Sequence, residues 1–210
     1  NRYDGYGFKV FMNDPYDDHS LSSNTIVELF EDSKGRIWAG TETAGVNVYD
    51  KESGLFYRIA NQQSEPGSLS GSVIRAIEEM PDGRILIVTD LKGLHIVSLP
   101  ADFIARGTAP MITRLSLPES KPVWGMGKGR DGNIWISAMD GTVYSLDPAT
   151  NSFRTLPGAR MHNSGYLNQD GSVLINNNLY LDKGHEIVPL FDTDRIAEGN
   201  IIISSRTELW

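Results

Sequence analysis

The chain has 210 residues, 40 % of them apolar and 22 % charged, which allows a sizeable core and excludes a disordered polar segment. A net charge of −8 excludes nucleic acid as a partner, since that binding rests on clustered Lys and Arg, and zero cysteines exclude disulfides and thiolate metal sites. No run of about 18 apolar residues exists, so no segment of this sequence is expected to span a membrane as a helix.

The opening, Asn1–Asp4 and Phe8–Phe11, reads as the end of a repeat: Phe8 precedes Ser20 by 12 residues, as Phe56 precedes Ser68. Phe8–Phe11 is therefore predicted to be an outer strand. Asn13–His19 is a polar connector, and its Asp17, Asp18 and His19 read as solvated side chains rather than cation ligands. Thr25–Glu31 is nearly continuous in apolar character, which predicts an inner strand buried on both faces. Asp32–Gly35 is a turn, because Asp caps its own backbone and Gly accepts positive φ. Arg36–Thr41 is the second strand, Glu42–Gly45 a second turn, and Val46–Asp50 alternates with the period of two that a pleated strand imposes. Leu55–Ile59 closes a four-stranded meander.

That unit recurs. Turn glycines Gly35, Gly83, Gly132, Gly171 and Gly199 stand at intervals of 48, 49, 39 and 28 residues, each followed three positions on by a large apolar residue: Trp38, Leu86, Trp135, Leu174 and Ile202. Ser20-Leu21-Ser22 and Ser68-Leu69-Ser70 each lead in 15 residues before the glycine. Gly45, Gly93 and Gly141 mark the second turn. Repeats are thus predicted near residues 1–14, 20–60, 68–117, 120–157, 160–191 and 195–210, with an irregular insertion at Pro100–Pro110. Radially repeated meanders of this length predict an all-β chain, a β-propeller of four-stranded antiparallel blades in a single domain. About five blades' worth is present, as a closed ring or as an arc of a larger propeller. Closure would set Phe8–Phe11 beside Glu208–Trp210.

The string SLSSNTIVELFEDSKGRIWAGTETAGVNVYDKESGLFYRI, Ser20–Ile59, resembles the two-component regulator propeller repeat, with its Ser-Leu-Ser lead, Asp-x-x-Gly-x-Ile-Trp-x-Gly-Thr core and Tyr-Asp ending. The opening NRYDGYGFKVF looks like the end of such a repeat, and the likeness weakens after about Arg160. The resemblance implies the periplasmic sensor half of a hybrid two-component protein, with the membrane helix, histidine kinase and response regulator outside this sequence. It also implies an oligosaccharide or other small-molecule ligand, and a homodimer in the intact sensor.

Trp38 and Trp135 occupy the same repeat position and are expected to pack between blades. Trp124, Tyr166 and His162 lie at the entrances of inner strands, where Asn24 and Ser72 stand in earlier repeats, with Arg75 close by. An aromatic face with Asn, Arg and His donors suits a carbohydrate; the plainer reading is that these residues fill the channel. Asp192 and Asp194 lack the rest of a calcium loop, and His95, His162 and His185 are scattered. No catalytic constellation, metal site or cofactor is expected, and Ser33 and Arg130 stand where a sialidase Asp box needs Asp. The alternative function is a propeller lyase or glycosidase acting on polysaccharide.

Overall fold

The computed structural model describes residues 1–3, 5–59, 68–90, 93–128 and 134–156 in full, and the backbone of 157–160, 166–167, 172–175, 178–182 and 187–189. The chain divides into two compact units, Asn1–Ser116 and Leu117–Trp210.

The first unit opens with a hairpin of β1 (Arg2–Tyr3) and β2 (Phe8–Lys9). Its first four-stranded sheet runs β3 (Ile26–Glu31), β4 (Ile37–Thr41), β5 (Val46–Tyr49) and β6 (Phe56–Ile59), each paired antiparallel with the next. The second runs β7 (Ile74–Glu79), β8 (Ile85–Thr89), β9 (Gly93–Ser98) and β10 (Met111–Leu115) in the same way. The second unit holds two more: β11 (Val123–Lys128), β12 (Ile134–Ala138), β13 (Thr142–Asp147) and β14 (Ser152–Arg160), then β15 (Tyr166–Leu167), β16 (Ser172–Ile175), β17 (Asn178–Asp182) and β18 (Ile187–Pro189). These are the repeated antiparallel meanders of propeller blades. Innermost strands of successive sheets lie side by side, β3 by β7 and β11 by β15.

One carboxylate organises the first sheet. Asp32, 4 % exposed, accepts the backbone N–H of Lys34 and of Arg36 (3.0 Å each), Arg36 Nε (2.7 Å) and Trp38 Nε1 (2.8 Å), so the turn and the core tryptophan share one anchor. Gly35 closes the turn at φ 75°, where a side chain would be strained. Burial alone would push the Asp32 carboxyl up, but the bonds from Trp38 and Arg36 and the guanidinium charge hold it below the usual carboxylate range.

The core of the first unit lies between its two full sheets. Trp38, Val46, Val48 and Ile59 pack with Leu69, Ile74, Ile77, Ile85, Ile87 and Val97, which bears out the inter-blade expectation for Trp38. Fully burying an aliphatic side chain of this size is worth ~1.5–3 kcal/mol. Gly40 makes the approach possible, since a Cβ there would stand 2.6 Å from Ile74 Cγ2. A polar staple joins the same sheets: Ser33 donates from its backbone N (2.8 Å) and Oγ (2.7 Å) to the Glu79 carboxylate. Trp135 is also buried, 3 % exposed, in the third sheet.

The lead motif has a physical role. Leu21 and Leu69 are buried pegs, and the second serine bonds to the middle of the third strand: Ser22 to Asn47, and Ser70 N–H to His95 Nε2 at 3.1 Å.

Three expectations change. The inner strand β3 is not buried on both faces, because it is an edge strand with a single paired neighbour; Val27 is 46 % and Leu29 67 % exposed, while β4 and β5 carry the burial. The insertion Pro100–Pro110 contains a helical turn, α1 (Phe103–Arg106), ended by left-handed Gly107, and buried Phe103 lies against Tyr57 at 5.5 Å. Phe8–Phe11 forms only a two-residue strand. Tyr3 pairs with Phe8 as Tyr49 pairs with Phe56, both ring pairs 4.9 Å apart, but Phe11 leaves the hairpin to pack on Tyr49 and Phe56. Glu208–Trp210, on which ring closure turns, lie outside the described residues.

Candidate functional site

Three innermost strands carry a β-bulge at one repeat position. In β3 the register jumps between Ile26, opposite Thr41, and Glu28, opposite Gly40; in β7 it jumps between Ile74 and Ala76, and in β11 between Val123 and Gly125. The extra residues are Val27, Arg75 and Trp124, each eight positions before its turn glycine. A bulge leaves its residue outside the ladder and re-aims the side chain, which is how sheets present groups at functional edges. The preceding position is a buried or half-buried aliphatic in every case, Ile26, Ile74 and Val123, as a fold position should be. The bulged position varies from apolar to cationic to aromatic.

Around the first two bulges the innermost strands of the first unit form one surface. Arg75 is exposed on β7, Val27 on β3, and Glu28 is half-buried beside them. Burial first, and then the negative charge of Glu78 on the facing strand, push the Glu28 carboxyl up. This surface thus offers a cation, an aliphatic face and a carboxyl that takes up a proton more readily than usual. In the second unit Trp124 is half-buried at the corresponding place on β11.

The expected site residues divide. Arg75 and Trp124 hold equivalent bulge positions in their own sheets. Asn24 does not share that position: it stands three residues earlier in the repeat, and its Oδ1 accepts the backbone N–H of Asn13 at 2.6 Å. The equivalence of Trp124 with Asn24 and Ser72 is therefore corrected to one with Val27 and Arg75, because the bulge sets the register. Ser72 is engaged through its carbonyl, which accepts Gly45 N–H at 3.2 Å. His162, His185, Asp192 and Asp194 lie outside the described residues, as does the side chain of Tyr166, whose backbone opens β15.

The connector binds its own sheet. Arg58 Nη2 donates to the Asp17 carbonyl (2.8 Å) and Ser20 Oγ (2.9 Å), Nε donates to the Ser20 carbonyl (3.1 Å), and Nη1 faces Asp18 at 3.5 Å. Asp17 Oδ1 caps His19 N–H at 2.8 Å, and the His19 ring lies on Tyr57. Asp17, Asp18 and His19 thus have separate partners instead of one centre. Val27 and Glu28 escaped the sequence reading, although the contrast between an invariantly aliphatic position and a variable one beside it is visible in the aligned repeats.

The model of the family described as two component regulator propeller matches residues 20–43. None of the curated proteins matches the chain. Among solved structures, the extracellular domain of a hybrid two component system from B. thetaiotaomicron is similar at a TM-score of 0.69 and 20 % identity, over 96 % of this chain and 27 % of that one. Virginiamycin B lyase from Staphylococcus aureus is similar at 0.58 and 15 %, over 82 % of this chain and 58 % of the lyase. An auxiliary nutrient binding protein from Bacteroides thetaiotaomicron follows at 0.57 and 15 %, over 79 % of this chain and 41 % of that one. This chain spans about a quarter of the first and less than two thirds of the others. All three share the β-propeller fold with a chain whose repeat positions differ from theirs in most residues.

Proposed function

We propose that the chain is the ligand-sensing propeller module of a hybrid two-component signalling protein, placed outside the cytoplasm in the periplasm, and that it detects a carbohydrate without transforming it. The observation that carries this reading is the match to the regulator-propeller repeat at residues 20–43, since the fold alone is shared with enzymes. The likeness to an extracellular two-component domain over 96 % of the chain supports it, and the nutrient-binding relative supports a small-molecule ligand.

The bulged innermost-strand positions are where the ligand binds in this reading. Each is proposed within its own unit: in the second unit Trp124 supplies an aromatic face for sugar C–H groups, and in the first unit Arg75 supplies directed donors for hydroxyl or carboxylate oxygens. Tyr166, His162 and Asn24 remain part of the proposed set. Homodimerisation of the intact sensor and signalling to a kinase belong to the whole protein and are proposed with it.

Titration calorimetry against a panel of oligosaccharides tests the site. Trp124→Ala and Arg75→Ala are each expected to weaken a detected ligand by about tenfold or more, on the order of 1.4 kcal/mol, with unchanged melting temperature. Unchanged affinity in both removes the bulges from the site. The likeness to virginiamycin B lyase shows that this fold also carries lyases, so the second reading is a propeller lyase or glycosidase; the polysaccharide substrate is this reading's own, and turnover of a bound oligosaccharide by the wild-type chain would establish it over the first.

A further inference from the structure

The lead of the third sheet breaks the pattern of the first two. Its peg is kept, for Leu117 is buried like Leu21 and Leu69. The residue after the peg is Pro118 where Ser22 and Ser70 stand, and two positions past the second-turn glycine Val143 replaces Asn47 and His95. Proline has no N–H to give and a buried valine side chain cannot accept one, so the serine bond to the third strand is lost. The spacing changes with it. The bulged residue follows the peg by six positions at Val27 and Arg75 but by seven at Trp124, so one residue has been added between Pro118 and Val123. The chain takes it up by turning left-handed at two successive residues that are not glycine, Glu119 (φ 60°) and Ser120 (φ 53°), a conformation that persists only where neighbouring contacts hold it.

One side chain makes those contacts. Lys121 Nζ donates to Asp140 Oδ2 (3.0 Å) and Thr142 Oγ1 (3.3 Å) at the second turn, and to Glu119 Oε2 (3.2 Å) in the left-handed step itself. The other Asp140 oxygen accepts the Thr142 N–H at 2.9 Å, which fixes the carboxylate for this use. In the first sheet Ser22 Oγ reaches the same turn, donating to the Ala44 carbonyl at 3.3 Å, so the third sheet ties the same two segments by charge in place of a hydroxyl. The bonds from Thr142 first, and then from Lys121, hold the Asp140 carboxyl down at about 2, and the clasp is charged throughout the neutral range. Between it and the bulge that carries Trp124 stand only the Met139 N–H bond to the Pro122 carbonyl (2.9 Å) and the Val123–Ala138 pair. A bulge interrupts the ladder, so a strand end released at Lys121 frays back to Trp124 with few bonds to stop it.

We propose that Lys121, with Asp140 and Glu119, is an ionic clasp that positions Trp124 at the entrance of β11, which makes Lys121 a positioning residue of the ligand site in the second unit. The inference rests on the reading above for what Trp124 does, and on the clasp for where Trp124 stands. It also sets this sheet apart from the first two. Partly exposed ion pairs are screened as the Debye length falls to ~3 Å in about 1 M salt, whereas the serine bonds of the other leads are not.

Fluorine NMR of the 210-residue chain labelled with 5-fluorotryptophan tests this, the line of Trp124 being the one lost in Trp124→Phe. In Lys121→Met that line is expected to shift or broaden while those of Trp38 and Trp135 stay in place, and Lys121→Arg, which keeps the charge, should restore it. About 1 M salt should move the same line in the parent, an arm that needs no substitution. Exchange of the Met139 amide should quicken by about fivefold or more in Lys121→Met, and an oligosaccharide bound by the parent should lose about threefold or more in affinity. A Trp124 line unmoved by both Lys121→Met and salt overturns the proposal. So does a shift shared equally by Trp38 and Trp135, which would be a loosening of the whole fold. Unchanged oligosaccharide affinity in Trp124→Ala, beside a line that does move, would instead remove Trp124 from the ligand site and leave the clasp standing.

Discussion

In the first sheet Asp32 and Trp38 hold each other by a hydrogen bond of 2.8 Å, whereas the second sheet has Met80 and Leu86 at the same two repeat positions, 1 % and 0 % exposed. Both pairs are self-consistent, since a buried donor faces an acceptor in one and both buried side chains are apolar in the other. The serine latch shows the same exchange, Asn47 in one sheet and His95 in the next. A repeat therefore conserves places and contacts, and lets the chemistry of a contacting pair change as a unit. Changing one member alone should cost more than changing both.

The largest test removes the packing. Trp38→Ala deletes the side chain at the centre of the core between the two sheets and is expected to cost ~3–5 kcal/mol, read as a lower urea midpoint. A variant that melts like the parent would show that the tryptophan is not the packing hub.

The pair itself is probed by Asp32→Met, which strands Trp38 Nε1 and two turn amides, at a cost of about 2–4 kcal/mol. Adding Trp38→Leu, so that the first sheet carries the second sheet's pair, should cost less than the sum of the two single changes, with a coupling on the order of 1 kcal/mol in a double-mutant cycle. Strict additivity would contradict pairwise exchange.

The latch is probed by pH. Burial first, and then the charge of Arg114, push the His95 pKa from its ordinary 6.5 down to about 4, so the unfolded chain takes up this proton before the folded one does. Its contribution is therefore complete above pH 6.5, declines as pH falls towards 4, and changes no further below that. The loss across that window is on the order of 3 kcal/mol at most. His95→Asn should flatten the fall in melting temperature between pH 7 and pH 5, where the lowered carboxylates Asp32 and Asp50 are not yet protonated. An unaltered slope would place the titration elsewhere.

How much of this was legible beforehand depended on whether counting along the chain could see it. The turn glycines, the tryptophans and the serine leads stand at fixed offsets, so the meanders and the core position of Trp38 follow from spacing. The bulges do not, because one extra residue shared by all three inner strands changes no interval; counting lines up Val27, Arg75 and Trp124 eight positions before Gly35, Gly83 and Gly132, but cannot show that this position is bulged. The exposure of Leu29 was hidden for a related reason, since an apolar run reads alike on an edge strand and a central one. Phe103 lay in an insertion that aligned with nothing, and its place in the core cluster, against Tyr57 and with Ile104 beside it, shows that the insertion is pinned to the core.

The third sheet has made half of the exchange, and this gives the smallest but most pointed test. Trp135 stands where Trp38 does and is buried, yet its Nε1 has no hydrogen-bond partner among the described residues. The sequence supplies the reason: three positions before the turn glycine Gly132 stands Gly129, where the first repeat has Asp32 before Gly35. A tryptophan has been kept without the carboxylate that satisfies it. Gly129→Asp restores the first sheet's pair and should stabilise the chain by about 1 kcal/mol, the net worth of an ordinary hydrogen bond together with the relief of a stranded donor. The gain should vanish in the background Trp135→Phe, which keeps an aromatic ring but has no N–H to give. A gain that persists in that background would mean that the introduced carboxylate acts on the turn backbone and not on the tryptophan, and a loss in both would show that this turn does not admit the geometry of the first.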